Sequence, residues 1–307
     1  MTETFGQKPR RSHKRNQRVV MFWCAFVFAF VIAGVWLFRG TLFQNDSGAS
    51  SSGTNQSRHD ACGTADSRQK STDVTQAPMD HEVCQKLQDL VSQDQRVQQV
   101  IDNCEIYPED ILKMLSRNLD MLNFVLEYPE KVGQVFAETV GEVEGGEVPL
   151  LLQYDQRWGY GDYGNSSVAV SGCGPACLSM VITSLTGDDT ITPYVVAQYA
   201  SEQGYYVPGA GTAWTLMSEG AKHFGVIGEE LPLTKSIMEG VLKEGRPIIC
   251  SMRPGDFTTT GHFIVITGIK DGQFTVNDPN STERSNMLWD YDTLKPQISN
   301  LWAFQAL

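Results

Sequence analysis

The sequence predicts an α+β domain, with helices packed on an antiparallel sheet, preceded by a transmembrane helix and a small helical segment. Three observations predict this. An uncharged run of twenty residues occupies 19–38. Apolar residues then recur at spacings of three and four through 80–145, the period of an amphipathic helix. Beyond Gly146, helix-start signals come first and two apolar strands around Asp271-Gly272 come later, the order of an α+β chain.

The N-terminal third divides by charge and polarity. Residues 1–18 form a basic tail. The run VVMFWCAFVFAFVIAGVWLF at 19–38 has no polar stripe and is long enough to span a bilayer. Six bases precede it and only Arg39 closely follows, which puts the N-terminus in the cytoplasm and the rest of the chain outside the cell membrane. A cleaved signal peptide ending near Val31-Ile32-Ala33 is the rival reading, but apolar residues continue to Phe38. Cys24 lies within the apolar run and reads as a membrane-buried thiol. Residues 39–79, with NDSGASSSGTNQS, read as a flexible linker. Residues 1–39 hold seven of the 24 Lys and Arg and one of the 36 acids, so the remainder carries 17 bases, 35 acids and a net −18. Such a body does not seek nucleic acid.

Residues 80–145 read as a helical stalk or spacer. Val83, Leu87, Leu90 and Val91 carry the first period, and Ile111, Leu112, Leu115 and Leu119 the next. Pro108-Glu109 and Tyr128-Pro129-Glu130 each read as a helix start. Cys84 and Cys104 lie in this one region and are a candidate disulfide pair, since an exported chain meets an oxidising environment.

Residues 147–307 form the main domain. EVPLLLQ at 147–153 reads as a strand. Thr192-Pro193 opens a helix ending near Gly204, Thr212 caps one ending at Gly225, and Thr234 caps one ending at Gly245. Residues 247–252 are a buried strand, and 262–269 with 273–277 form a hairpin around Asp271-Gly272.

Reactive chemistry concentrates at SGCGPACLSMVI, residues 171–182. Pro175 marks the start of an apolar helix, so Cys173 sits at a helix N-terminus, where the dipole favours a thiolate. The flanking glycines let a substrate backbone approach. Cys177, one turn on, reads as packing. Of the five His, His13 falls in the tail, His59 in the linker, His81 at the head of the helical segment and His223 at a helix end. His262 alone heads a buried strand beside a glycine, and is the candidate base. Its orienting partner depends on hairpin register. A plain two-residue loop places Asn277 on the His262 face. A three-residue loop, Lys270-Asp271-Gly272, pairs 264 with 278 and places Asp278 there. The second register is preferred because a carboxylate is the stronger imidazolium partner; Asn277 and Asn280 remain alternatives. The backbone N–H of Cys173 with a side-chain amide, Gln153 or Gln156, would hold an oxyanion. Gln153 is favoured because it ends the predicted strand. Cys and His spacings match no zinc pattern, and no cofactor is expected.

QYDQRWG, SGCGPACLSMV, GHFIVITGI and FTVNDPNS occur in that order over about residues 147–307. Together they resemble the papain-like cysteine peptidases related to the double-glycine-leader peptidases of bacteriocin exporters, and specifically the stand-alone branch carried on exported bacterial proteins. The resemblance implies Cys173 as nucleophile, His262 as base, Asp278 as orienting acid and a peptide or protein substrate. The chain departs from that family at one point. Two helical turns before the Cys, where those peptidases keep the oxyanion Gln, stands Ser167. Assigning Gln153 assumes an inserted loop, Trp158 to Ser171, that returns the chain to the site. No transporter is fused here, so double-glycine leader cleavage is not implied. The same residues fit two other readings. One is a non-catalytic module holding a peptide or cell-wall component among Trp158, Tyr160, Tyr163, Tyr205, Tyr206 and Trp214. The other is a transpeptidase or amidase using the same triad.

Overall fold

A computed structural model describes residues 80–307; the basic tail, the apolar run 19–38, the linker, Cys24 and Cys62 lie outside the described residues. No helix among the described residues is long and apolar enough to cross a membrane.

The helical segment comprises α1 (His81–Val91), α2 (Val97–Asp102), α3 (Glu109–Leu115) and α4 (Leu122–Lys131). Pro108 stands at the N-cap of α3, as its fixed φ suits. The second proline behaves otherwise. Pro129 lies in the last turns of α4 and does not open a helix. The helix ends two residues later, where Val132 turns extended and Gly133 takes φ +79°. Residues 132–145 are therefore not helical, against expectation. Leu87, Val100, Ile111, Leu115 and Phe124 share one core with Tyr154, Tyr160 and Ala169 of the main domain. Phe124 stacks on Tyr160 with ring centroids 4.3 Å apart.

The main domain continues with β1 (Asp162–Tyr163), β2 (Ser166–Ser167), α5 (Val168–Ser171), α6 (Cys173–Thr186), α7 (Pro193–Glu202), β3 (Tyr206–Val207), β4 (Gly211–Thr212), α8 (Thr215–Ser218) and β5 (Val226–Glu230). After these come α9 (Lys235–Lys243), β6 (Ile248–Met252), β7 (His262–Lys270), β8 (Gln273–Asn277), α10 (Thr282–Ser285), β9 (Leu288–Trp289), α11 (Tyr291–Leu294) and β10 (Ile298–Ala306). The principal sheet runs β5-β10-β6-β7-β8-β9 with every neighbour antiparallel. Helix α6 is apolar on all sides, and Gly174 to Thr183 are all buried, as a central core helix requires. It packs with α7 on one face of the sheet, through Leu178, Val181, Val196, Ile249 and Val265. Met238 of α9 and Leu294 of α11 cover the other face. The mixed helices and antiparallel sheet fit a papain-like α+β fold.

Several local expectations change. Residues 147–153 are not a strand. Pro149 lacks an N–H to pair with a sheet edge, and the contacts there come from isolated bonds, such as Asn277 Nδ2 donating to the Val148 carbonyl at 2.9 Å. Thr212 caps no helix: it lies in β4, paired with Tyr206, and its hydroxyl meets Tyr163 Oη at 2.8 Å. The loop between β7 and β8 has two residues and not three. Lys270 pairs with Gln273, while Asp271 and Gly272 take φ +53° and +80°, the left-handed pair of a tight hairpin turn. The register shift lies further along β7. Ile266 pairs with Val276 and Gly268 with Thr275, so Thr267 is an extra residue in a bulge. Val265 then faces Asn277, and the register carried one residue on sets 264 opposite 278. The expected pairing is reached, but through a mid-strand bulge.

Candidate active site

Three separate parts of the main domain meet at one cavity of about 280 Å³, lined among others by Gln153, Cys173, His262, Asn280 and Arg284. Cys173 is the first residue of α6, after the N-cap Gly172. The first N–H groups of a helix have no intrahelical partner, so the thiol sits beside unpaired donors. The glycines around it are required by the protein itself. A Cβ on Gly172 would lie 2.3 Å from the Val168 carbonyl oxygen, and one on Gly174 would lie 2.6 Å from Thr212 Oγ1. Substrate approach was the sequence-based reason; close packing against α5 and β4 is the observed one.

His262 starts β7 and is 8% exposed. Its Nε2 donates to Asp278 Oδ1 at 2.7 Å, which leaves Nδ1 as the ring nitrogen for the Cys173 thiol. Burial alone would lower the imidazole pKa. The Asp278 carboxylate, by charge and hydrogen bond, and then the neighbouring Cys173 thiol override burial and raise it to about 10. Asp278 is fully buried. Burial opposes its ionisation, yet the His262 and Arg284 cations and their hydrogen bonds hold its carboxyl below the usual carboxylate range.

Arg284 is a site residue that sequence reasoning missed. Its Nε donates to Asp278 Oδ2 at 2.5 Å, so the carboxylate lies between imidazole and guanidinium. The Asn280 N–H adds a third donor, to Oδ1 at 2.8 Å. Ser281, the N-cap of α10, accepts from the Arg284 N–H and so fixes the short helix that carries this side chain. The one available signal was the motif NDPNSTERS, in which a capping serine starts a turn just after the acid.

Gln153 is 3% exposed and lines the cavity with Cys173. The loop of β1, β2 and α5 folds back, and Gln153 Nε2 donates to the Ala169 carbonyl at 2.6 Å. Of the two ends of the amide only the nitrogen can donate to a carbonyl, which fixes the amide orientation and leaves a second N–H on Nε2. The Gln153 backbone N–H donates to the Pro279 carbonyl at 2.7 Å, tying it beside Asp278. Gln156 is elsewhere: its amide donates to the Asn123 carbonyl and Glu127 Oε2. Ser167 is buried and does not line the cavity. Asn277 is spent on Val148, whereas Asn280 lines the cavity.

Cys177 and Cys250 are buried and burial pushes both thiols up. None of Trp158, Tyr160, Tyr163, Tyr205, Tyr206 or Trp214 lines this cavity, and the first three are fully buried. Trp158, Tyr160 and Tyr163 pack the core, whereas Trp214 is exposed outside this cavity. Among the described residues no three His, Cys, Asp or Glu converge on a metal position.

The model of the Peptidase_C39 like family matches residues 146–305, more than half of the chain. No curated protein matches the chain.

Proposed function

We propose, for a chain that belongs to the Peptidase_C39 like family and is thereby related to the papain-like, bacteriocin-processing cysteine peptidases, that it hydrolyses peptide bonds through Cys173, His262 and Asp278. The observation that carries this is the buried His262–Asp278 pair at 2.7 Å in the same cavity as a cysteine at a helix N-terminus. A raised imidazole pKa supports His262 as the imidazolium that later protonates the leaving amine.

In the first half-reaction the Cys173 thiolate attacks the substrate carbonyl carbon and a C–S bond forms. The carbonyl oxygen becomes an oxyanion, held by the Cys173 N–H and the second N–H of Gln153. The His262 Nδ1 proton passes to the leaving nitrogen, the C–N bond breaks, and the amine departs from a thioester. In the second half, neutral His262 takes a proton from water, hydroxide adds to the thioester, and the acid product leaves as the C–S bond breaks. The proton on His262 and the thiolate on Cys173 are thereby restored. Asp278 stays ionised throughout and holds the ring orientation. Residues 19–38 anchor the peptidase to the cell membrane, with the N-terminus in the cytoplasm and the peptidase outside, as the basic tail supports.

Cys173→Ala should abolish hydrolysis of a mixed peptide library by the full-length chain, a loss of about 10⁴-fold or more in kcat. Retained cleavage by that variant would reject Cys173 as the nucleophile.

A further inference from the structure

One wall of the cavity comes from outside the family match. Met114, Arg117 and Asn118 line it together with Cys173 and His262, yet all three belong to the helical segment before residue 146. This wall is pinned. Asn118 Nδ2 donates to the Asn280 carbonyl at 2.8 Å, two residues past Asp278, and to Tyr154 Oη at 3.3 Å. Arg117 Nη1 reaches from the same turn to Thr259 Oγ1, on the opposite loop 255–261, at 3.3 Å.

Arg117 differs from the other arginines among the described residues. Arg96, Arg157, Arg246 and Arg284 each sit on a carboxylate, and Arg253 donates to the Ile298 carbonyl. For Arg117 no carboxylate lies within 4.0 Å among the described residues, and its hydrogen bond is a long one to a neutral hydroxyl. A guanidinium has five N–H donors in a planar fork suited to a carboxylate. In a chain of 36 acids and 24 bases, an arginine with no acidic partner among the described residues lines the cavity that holds the thiol. Asp256, the acid that also lines this cavity, is taken by Gln297 Nε2 at 2.7 Å.

We propose that Arg117 is a specificity residue that binds a carboxylate of the peptide substrate, so that the helical segment is part of the substrate site. This rests on the peptidase reading above. The carboxylate is either an acidic side chain or the substrate's C-terminal carboxylate.

The test uses the full-length chain in detergent and follows the rate at which Cys173 is alkylated. Iodoacetate carries a carboxylate and iodoacetamide does not. Their rate ratio at Cys173 should fall about tenfold in Arg117→Gln and be largely retained in Arg117→Lys, because a charge-assisted hydrogen bond is lost in the first and kept as a point charge in the second. Three peptide pools then compete for the site. The first carries carboxylates only on Glu side chains and ends in an amide. The second has Gln in place of Glu and a free C-terminus. The third has Gln and an amide. Protection of Cys173 by the first pool above the third identifies the side chain as the source, and protection by the second identifies the terminus. That excess should vanish in Arg117→Gln. An unchanged reagent ratio, or charged pools that protect no better than the neutral one, would overturn the proposal while leaving the peptidase reading intact. If Cys173 in the unaltered chain reacts with iodoacetamide no faster than an ordinary thiol and no pool is cleaved, the peptidase reading itself fails, and this proposal with it.

Discussion

Asp278 meets three donors at its two oxygens: His262, Arg284 and the Asn280 N–H. A buried carboxylate removed from such partners leaves uncompensated cations, at a cost of about 3–5 kcal/mol. Two opposite pH dependences follow from the pKa shifts. The His262 pKa is raised from 6.5 to about 10, so its contribution to stability is complete below about pH 6.5 and is lost as pH rises toward 10. The Asp278 pKa is lowered from 3.8, so its contribution is complete above that value and is lost as pH falls below it. The pair supports the fold most between these limits. In the proposed mechanism the same shift sets the alkaline limb of activity, because an imidazolium must protonate the leaving amine. Asp278→Asn should move the alkaline limb of kcat/KM down toward the ordinary histidine value; a limb that does not move would show that Asp278 does not tune His262. At this scale Cys173 and His262 were legible, since Gly-Cys-Gly-Pro and a His heading an apolar strand are local signals. Arg284 was not, because its role depends on a carboxylate six residues away being buried with an unspent oxygen.

Elements set the distances. Asp278 reaches the face of His262 because Thr267 is extra in β7 and shifts the register by one. A hairpin sequence shows its turn residues but not a bulge several residues away, which is why the pairing was anticipated and its cause was not. The β3–β4 hairpin is a second positioning element. Gly174, one residue past the thiol, lies directly against Thr212 of that hairpin, and Thr212 is in turn held by Tyr163 Oη. Gly174→Ala has no free space: its new methyl would meet Thr212 Oγ1, Cβ and Cγ2 at 2.6–2.9 Å. Overpacking of this kind costs about 1–3 kcal/mol. The variant should therefore lose several degrees in Tm and also lose activity as the N-terminus of α6 shifts. A melting curve that superposes on the original would contradict the close packing of α6 on β4. The strand predicted at 147–153 fails for a related reason. Its apolar run suits a strand, but Pro149 cannot donate to one, and the segment serves to deliver Gln153 to the cavity.

At the scale of the molecule, the helical segment and the main domain share a core. Helical periodicity disclosed that residues 80–131 bury a face, but not what covers it. The cover proves to be Tyr154, Tyr160 and Ala169, residues of the very loop that carries Gln153 and leads to Cys173. The segment read as a stalk thus supports the site from behind and supplies the wall that holds Arg117. The sequence beyond the described residues bears on where the peptidase acts. Twenty uncharged residues behind six bases should keep the full-length chain in the membrane pellet after alkaline carbonate extraction. Release of the peptidase into the soluble fraction would instead support cleavage near Ala33.

The central claim is that His262 activates Cys173. The measurement that tests it is the rate of alkylation of each cysteine in the full-length chain at neutral pH, by a limiting thiol reagent with mass-spectrometric mapping, repeated with His262→Ala. The activated pair predicts that Cys173 reacts far faster than the buried thiols Cys177 and Cys250, whose pKa values burial raises, and that this rate collapses by about 10²-fold or more without the imidazole. Equal labelling in the two proteins, or Cys173 found in a disulfide, would contradict it.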